Sequence, residues 1–120
     1  MRFYHRFVDE TLDGNGTLQQ FSLHYPDNFN FGYDVVDAIA DEQPDRRALV
    51  WCNQRGDERT FTFSELKELS NRAANFFRAQ GVRRGDRVML MLKRHHQYWS
   101  AIVGLHKLGA VVIPATHLLT

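Results

Sequence analysis

The spacing of hydrophobic residues changes several times along this chain, and each change marks an element. From Asp34, residues Val35, Val36, Ile39 and Ala40 recur at helical intervals behind a residue suited to cap a helix, and Pro44 closes the segment. Arg47 to Asn53 reads as a strand, Gln54 to Glu58 as a polar hairpin loop, and Arg59 to Phe61 as the return strand. Thr62 with Glu65 then fits a capping box, and Phe61 with Leu66 fits the hydrophobic staple around it. Leu66, Leu69, Ala73, Phe76, Phe77 and Gln80 follow one helical face, while Gly81 and Val82 suit a Schellman stop. The spacing predicts a helix over 63–80. After the turn at Arg84-Gly85-Asp86, the apolar run Arg87 to Leu92 resembles a strand buried in a parallel sheet. A helix from about His95 to Leu108, stopped by Gly109, and a strand over Ala110 to Ile113, ended by Pro114, complete a strand–helix–strand unit. The class is α/β, in the order helix, β-hairpin, helix, βαβ.

Ahead of this regular part, residues 1–33 show no sustained period. They mix aromatics (Phe3, Tyr4, Phe7, Phe21, Tyr25, Phe29, Phe31, Tyr33) with the turn formers Asp13-Gly14-Asn15-Gly16. That mixture predicts an extended arm whose rings dock on a body, too aromatic for a free linker. The chain divides into an aromatic arm over 1–33 and an α/β subdomain over 34–120.

Composition narrows the function classes. At 120 residues the chain is one domain or part of one, and 43% hydrophobic with 24% charged residues is ordinary for a globular protein. A formal net charge of +1 gives no basis for nucleic-acid binding. Cys52 is the one cysteine, which excludes an intrachain disulfide and suits a reducing compartment. Met1 to Glu10 is charged and aromatic without an apolar signal core. The longest apolar stretch, Ala110 to Ala115, is far short of the ~20 residues of a membrane span. The expectation is a soluble cytoplasmic protein.

Candidate chemistry is sparse. His95 and His106 share a helical face, yet at ~1.5 Å per residue they lie about 16 Å apart along the axis, too far to share an ion. With no H-x-x-x-H or C-x-x-C spacing, no metal site is expected. The basic cluster Lys93-Arg94-His95-His96 stands where a strand gives way to a helix, as a phosphate contact would. A solvated loop accounts for it more simply, because no glycine lets the backbone approach a phosphate. No G-x-S-x-G frames a serine, and the carboxylates sit at caps and helix faces. Trp99 with Tyr98 reads as core, because Ile102 and Val103 extend the same face.

A resemblance carries more. Phe61-Thr62-Phe63-Ser64-Glu65-Leu66 resembles the first signature of the adenylate-forming enzymes, T-[YF]-x-E-L at the start of a long helix. Gly81-Val82-Arg83-Arg84-Gly85-Asp86-Arg87-Val88 resembles their G-[VI]-x-x-G-D-x-V turn. Leu105 to Pro114, with Gly109-Ala110 before a strand and proline, is similar to their second signature. Phe29-Asn30-Phe31 followed by Asp34-Val35-Val36-Asp37 is similar to the entry of the medium-chain acyl-CoA synthetase branch. The motifs stand in the family's order and cover about residues 29–120.

The resemblance implies the N-terminal part of the large domain of an AMP-forming acyl-CoA synthetase. Such an enzyme joins a small-molecule carboxylate to ATP with release of pyrophosphate, and coenzyme A then displaces AMP. ATP, Mg²⁺ and coenzyme A are the cofactors implied for such a parent. The family's glycine/serine/threonine-rich phosphate loop, ATP-contacting aspartate and C-terminal lysine have no counterpart in these residues. No catalytic residue is therefore expected in this span, and the isolated chain is expected to be inactive and to bind none of the three cofactors. By position, Thr116, His117 and Leu118 are the candidates for a coenzyme A channel, following the carboxyl end of a parallel strand where α/β ligands gather. The competing expectation is a stand-alone, non-catalytic module for oligomerisation or partner binding. Because the family's sheet continues through later strands, the synthetase reading implies that Ala110 to Pro114 lacks a strand neighbour, which favours a homo-oligomer.

Overall fold

The computed structural model describes residues 2–119. Met1, at the head of the charged opening segment, and Thr120, the end of the expected subdomain, lie outside the described residues. Helix α2 (Phe63–Ala79) begins as its sequence predicts. The Thr62 hydroxyl accepts from the Glu65 amide at 3.2 Å, and the Glu65 carboxylate accepts from the Thr62 amide at 2.8 Å. At the other end Gly81 adopts φ +96°, the Val82 amide donates to Phe77 O and the Gly81 amide to Arg78 O, both at 3.1 Å. These are the paired bonds of a Schellman stop.

Packing decides which face of α2 is buried, and here the structure corrects the sequence. Ser70 and Ala74 are the buried positions, with Leu66, Leu69, Ala73 and Phe77 half-buried, while Phe76 is 60% exposed and Gln80 is exposed. The reason lies in the neighbouring helix α3 (Gln97–Leu108). A methyl group added to Gly104 would stand 2.8 Å from Ser70 O, 2.9 Å from Ala73 Cβ and 2.9 Å from Ala74 N. Small residues let the two backbones approach that closely, and a phenylalanine ring at the crossing would hold them apart. The stripe is thus centred one position from the expected one. Leu105 fills the space beside the crossing and is fully buried.

The segment before α2 also starts differently from expectation. A wide turn of π-helix spans Phe31–Asp37 and continues into α1 (Ala38–Glu42). Asn30, not Asp34, is its cap: the Asn30 side chain accepts from the Gly32 amide at 2.9 Å, and the Asp34 carboxylate accepts from the Asn30 amide at 2.6 Å. Asn30 Nδ2 also donates to His106 O at 2.7 Å, which ties this turn to the C-terminal end of α3.

Strands form three two-stranded sheets among the described residues. β1 (Val8–Leu12) and β2 (Leu18–Leu23) are an antiparallel hairpin, so the expected extended arm is in fact folded on itself. Asp13 closes it by accepting from the Asn15 and Thr17 amides at 2.8 and 2.9 Å. Its rings still meet: Phe7 packs edge-on against Phe29 at 5.1 Å. β3 (Arg47–Cys52) and β4 (Glu58–Thr62) form the second hairpin. The Asn53 side chain organises its loop by accepting from the Arg55 and Asp57 amides at 2.9 and 3.0 Å. β5 (Arg87–Leu90) and β6 (Val111–Pro114) pair in parallel with α3 between them in sequence. Leu90 is buried, but Met89, Met91, Val111 and Ile113 are exposed, because nothing among the described residues covers the second face. The expected full burial of this run is corrected to burial on one side.

Candidate functional site

Two adjoining hollows lie at the carboxyl ends of β5 and β6. One has a volume of about 540 Å³ and is lined by the end of β3, the segment Leu92 to His95, Tyr98, Trp99 and Pro114 to Thr116. The other, about 900 Å³, is lined by Trp51 to Arg55, Lys93 to His95 and His117. Trp51, Cys52, Lys93, Arg94 and His95 border both, so they form one cleft with a shared wall.

The β ladder brings these residues together. Beyond the last paired strand residues, the Ala115 amide donates to Leu90 O at 3.0 Å, carrying the chain alongside β5 and delivering Thr116 next to Leu92 and Lys93. Thr116 and His117, both exposed, thus meet the basic cluster across the cleft. Leu118 does not line it: its side chain is 73% exposed and its amide donates to Thr116 Oγ1 at 3.2 Å. The structure separates the three sequence candidates into two that line the cleft and one in the turn behind them.

Sequence reasoning set Lys93, Arg94 and His95 aside as a solvated loop. They are exposed, but they line a cleft, and none of the three forms an ion pair among the described residues. The charges of Lys93 and Arg94 are therefore open to an anion. The cluster's position at a strand end was the signal that could have found them. Trp51 was missed altogether. Its indole N–H donates to the Arg94 carbonyl at 2.6 Å. His96 stands edge-on to Trp51 at 5.5 Å and tilted on Phe61 at 5.0 Å. It directly precedes α3, which begins two residues later than the expected His95 start. Burial, then the positive charges of Arg59 and His95, push the His96 imidazole below its ordinary 6.5. Trp99 was expected in the core; it is 49% exposed, since it lines the open cleft.

The opposite end of α3 carries a second feature that the sequence did not announce. The Lys107 ammonium, its side chain 1% exposed, donates to Asp37 Oδ1 at 2.7 Å and to Asn71 Oδ1 at 2.8 Å. It also lies 5.6 Å from the Tyr33 ring centroid. Gly32 leaves room for its stem, since a methyl there would sit 2.6 Å from Lys107 Cγ. A charge that far from water is tolerable only when so partnered. With no path to solvent, it is a tie among three segments and holds the fold. The clue was a lysine set among Val103, Gly104 and Leu108 on an apolar face. Among the described residues no group of histidine, cysteine and carboxylate side chains could hold a metal ion, and no helix is long and apolar enough to cross a membrane.

Comparison with known proteins places this geometry. The AMP-binding enzyme family model matches residues 36–120. Human acyl-coenzyme A synthetase ACSM3, a mitochondrial protein, is 40% identical over 108 residues, which is 85% of this chain and 18% of that one. Rat ACSM4, also mitochondrial, is 36% identical over 129 residues, 99% of this chain and 22% of that one. Among solved structures, the N-terminal subdomain of Klebsiella oxytoca NpsA superposes with a TM-score of 0.65 at 29% identity, over 72% of this chain and 22% of that one. Mycobacterium tuberculosis fatty acyl CoA synthetase gives 0.65 at 28% identity, over 76% and 17%. The chain spans between 18% and 22% of the length of the two synthetases ACSM3 and ACSM4.

Proposed function

Since the chain belongs to the AMP-binding enzyme family, we propose that it is the N-terminal segment of an AMP-forming, medium-chain-like acyl-CoA synthetase. The parent activates a small-molecule carboxylate as its acyl adenylate and passes the acyl group to coenzyme A. What supports this most directly is the register of the family's motifs on the structure: capping box, left-handed Gly81, and Gly109-Ala110 leading into β6. The synthetases ACSM3 and ACSM4, by their names, act with coenzyme A.

Within the parent, the described residues supply scaffolding and one wall of a ligand cleft. The donor set of that cleft, Lys93, Arg94, His95 and His117 beside the Thr116 hydroxyl, suits the phosphates of coenzyme A, so the 120-residue chain should hold coenzyme A weakly, in place of the absence of binding expected from the sequence. The group brings a thiol as acyl acceptor when bound; these side chains would neutralise and orient its anionic end. ATP and Mg²⁺ belong to the parent through the phosphate loop, aspartate and lysine that the resemblance implies. No catalytic residue is assigned to this span.

The test is carboxylate-dependent ATP–pyrophosphate exchange and thioester formation, run on the parent and on the 120-residue chain. Exchange by the parent with aliphatic carboxylates and none by the chain is expected. Exchange by the chain that disappears in a Lys93→Ala variant would contradict the assignment. Cell fractionation decides the compartment, with the cytoplasm expected from the sequence and mitochondria suggested by the relatives' names.

The exposed Met89, Val111 and Ile113 of β5 and β6, and Leu12, Leu18, Phe21 and Leu23 of the first hairpin, favour a second role in self-association. Sedimentation at tens of micromolar should then show a dimer or larger species. A sharp monomer removes that role.

A further inference from the structure

We propose that Trp51 is the positioning residue of the cleft, its indole holding the 91–96 segment so that Lys93, Arg94 and His95 line the cavity. That segment has neither strand nor helix of its own between β5 and α3. Among the described residues, the bond from Trp51 Nε1 to Arg94 O at 2.6 Å is the one side-chain hydrogen bond it makes, and it bridges 43 residues of sequence. Adjacent lysine and arginine charges at 93 and 94 repel each other, and the loop would otherwise spread into solvent. The indole acts on it twice. Its N–H fixes the Arg94 carbonyl, and its ring edge packs on His96, which starts α3. Phe61, 2% exposed under the Arg59 guanidinium at 4.5 Å, closes the other side of that imidazole. The hairpin β3–β4 is thereby coupled to the loop that follows β5, although it shares no strand pairing with the β5–β6 sheet. A single neutral hydrogen bond biases such a loop by a factor of roughly five.

The inference rests on the proposed function only for its consequence in ligand binding, and the two can fail separately. The chain carries an internal control, because Trp99 is its second tryptophan and its indole makes no hydrogen bond among the described residues. In ¹⁵N-labelled protein, the Trp51 indole N–H should exchange with solvent at least ~10-fold more slowly than that of Trp99. Trp51→Phe keeps a ring against His96 but has no N–H. In that variant the amide resonances of Lys93, Arg94 and His95 should shift and their order parameters fall, while those of α2 stay unchanged. Equal exchange at the two wild-type indoles overturns the inference without any variant. So does a Trp51→Phe spectrum unchanged over 93–95. Coenzyme A titrated into both proteins should bind about five-fold more weakly to the variant. Failure of the wild-type chain to bind it contradicts the coenzyme A assignment, and the indole comparison still decides the role of Trp51.

Discussion

The two ends of α3 are built on opposite principles. At its C-terminal end Gly104 presses against the backbone of α2, Leu105 is fully buried, and Lys107 has every neighbour it needs in Asp37 and Asn71. At its N-terminal end His96 makes no side-chain cap, and the exposed Lys93, Arg94 and His95 line a cleft without ion-pair partners among the described residues. The same helix therefore serves as an anchor at one end and as a wall of the site at the other. A charge that the fold has already neutralised has nothing left for a ligand. One left open in a hollow is still free to meet an anion.

Substitutions at the anchored end should be the most damaging. Lys107→Ala leaves the half-buried Asp37 without its cation and should cost about 3 kcal/mol. Replacing the pair together, Lys107→Met with Asp37→Leu, should recover most of it, as a double-mutant cycle in urea would measure. A full loss persisting in the double variant would show that the ion pair is not what binds these segments. Gly104→Ala should cost about 3 kcal/mol, because the atoms its methyl meets are mostly backbone and cannot swing aside. Tolerance of that methyl would mean that the helices cross more loosely than described.

Acid separates the ends more gently. His96 and His106 both hold their protons less tightly than the ordinary 6.5, through burial in each case and, for His96, also through Arg59 and His95. His106 Nδ1 is moreover buried without a partner. The unfolded chain therefore takes up protons first as pH falls. Stability should be complete above about pH 6.5 and fall as the pH drops below it. His106→Gln should flatten that decline in thermal melts followed from pH 7.5 to 5. A stability that rises on acidification would reverse the sign of both shifts.

The smallest effects belong to surface rings. Phe76→Ala should change stability by less than about 1 kcal/mol, although periodicity alone would place it in the core. Leu69→Ala, half-buried, should cost more than Phe76→Ala. The reverse order would restore the stripe that the sequence suggested.

That contrast marks what residues announce and what they conceal. Ends of elements are local events, so the Thr62–Glu65 box, Gly81 and Gly109 could be read directly from the chain. The hairpin over Val8–Leu23 was concealed because strand pairing requires partners that a scan for period does not connect. The stripe of α2 was misplaced by one residue because its centre is set by how closely Gly104 comes, a property of the other helix. The place of Thr116 and His117 after a parallel strand can be read from the chain, and both line the cleft, while their part in holding coenzyme A is a proposal. Trp51 could not, since its partner Arg94 lies 43 residues away and offers a backbone carbonyl, which any residue would provide. Contacts to side chains leave a trace in composition, and contacts to backbone leave none.

The division of α3 into an anchored end and an open end is tested most directly by titrating coenzyme A into the ¹⁵N-labelled chain and mapping the perturbed amides. Changes should gather at Trp51 to Arg55, Leu92 to His95 and Ala115 to His117, with Gly104, Leu105 and Lys107 unmoved. Perturbations centred on the α2–α3 crossing, or none at millimolar ligand, would contradict it.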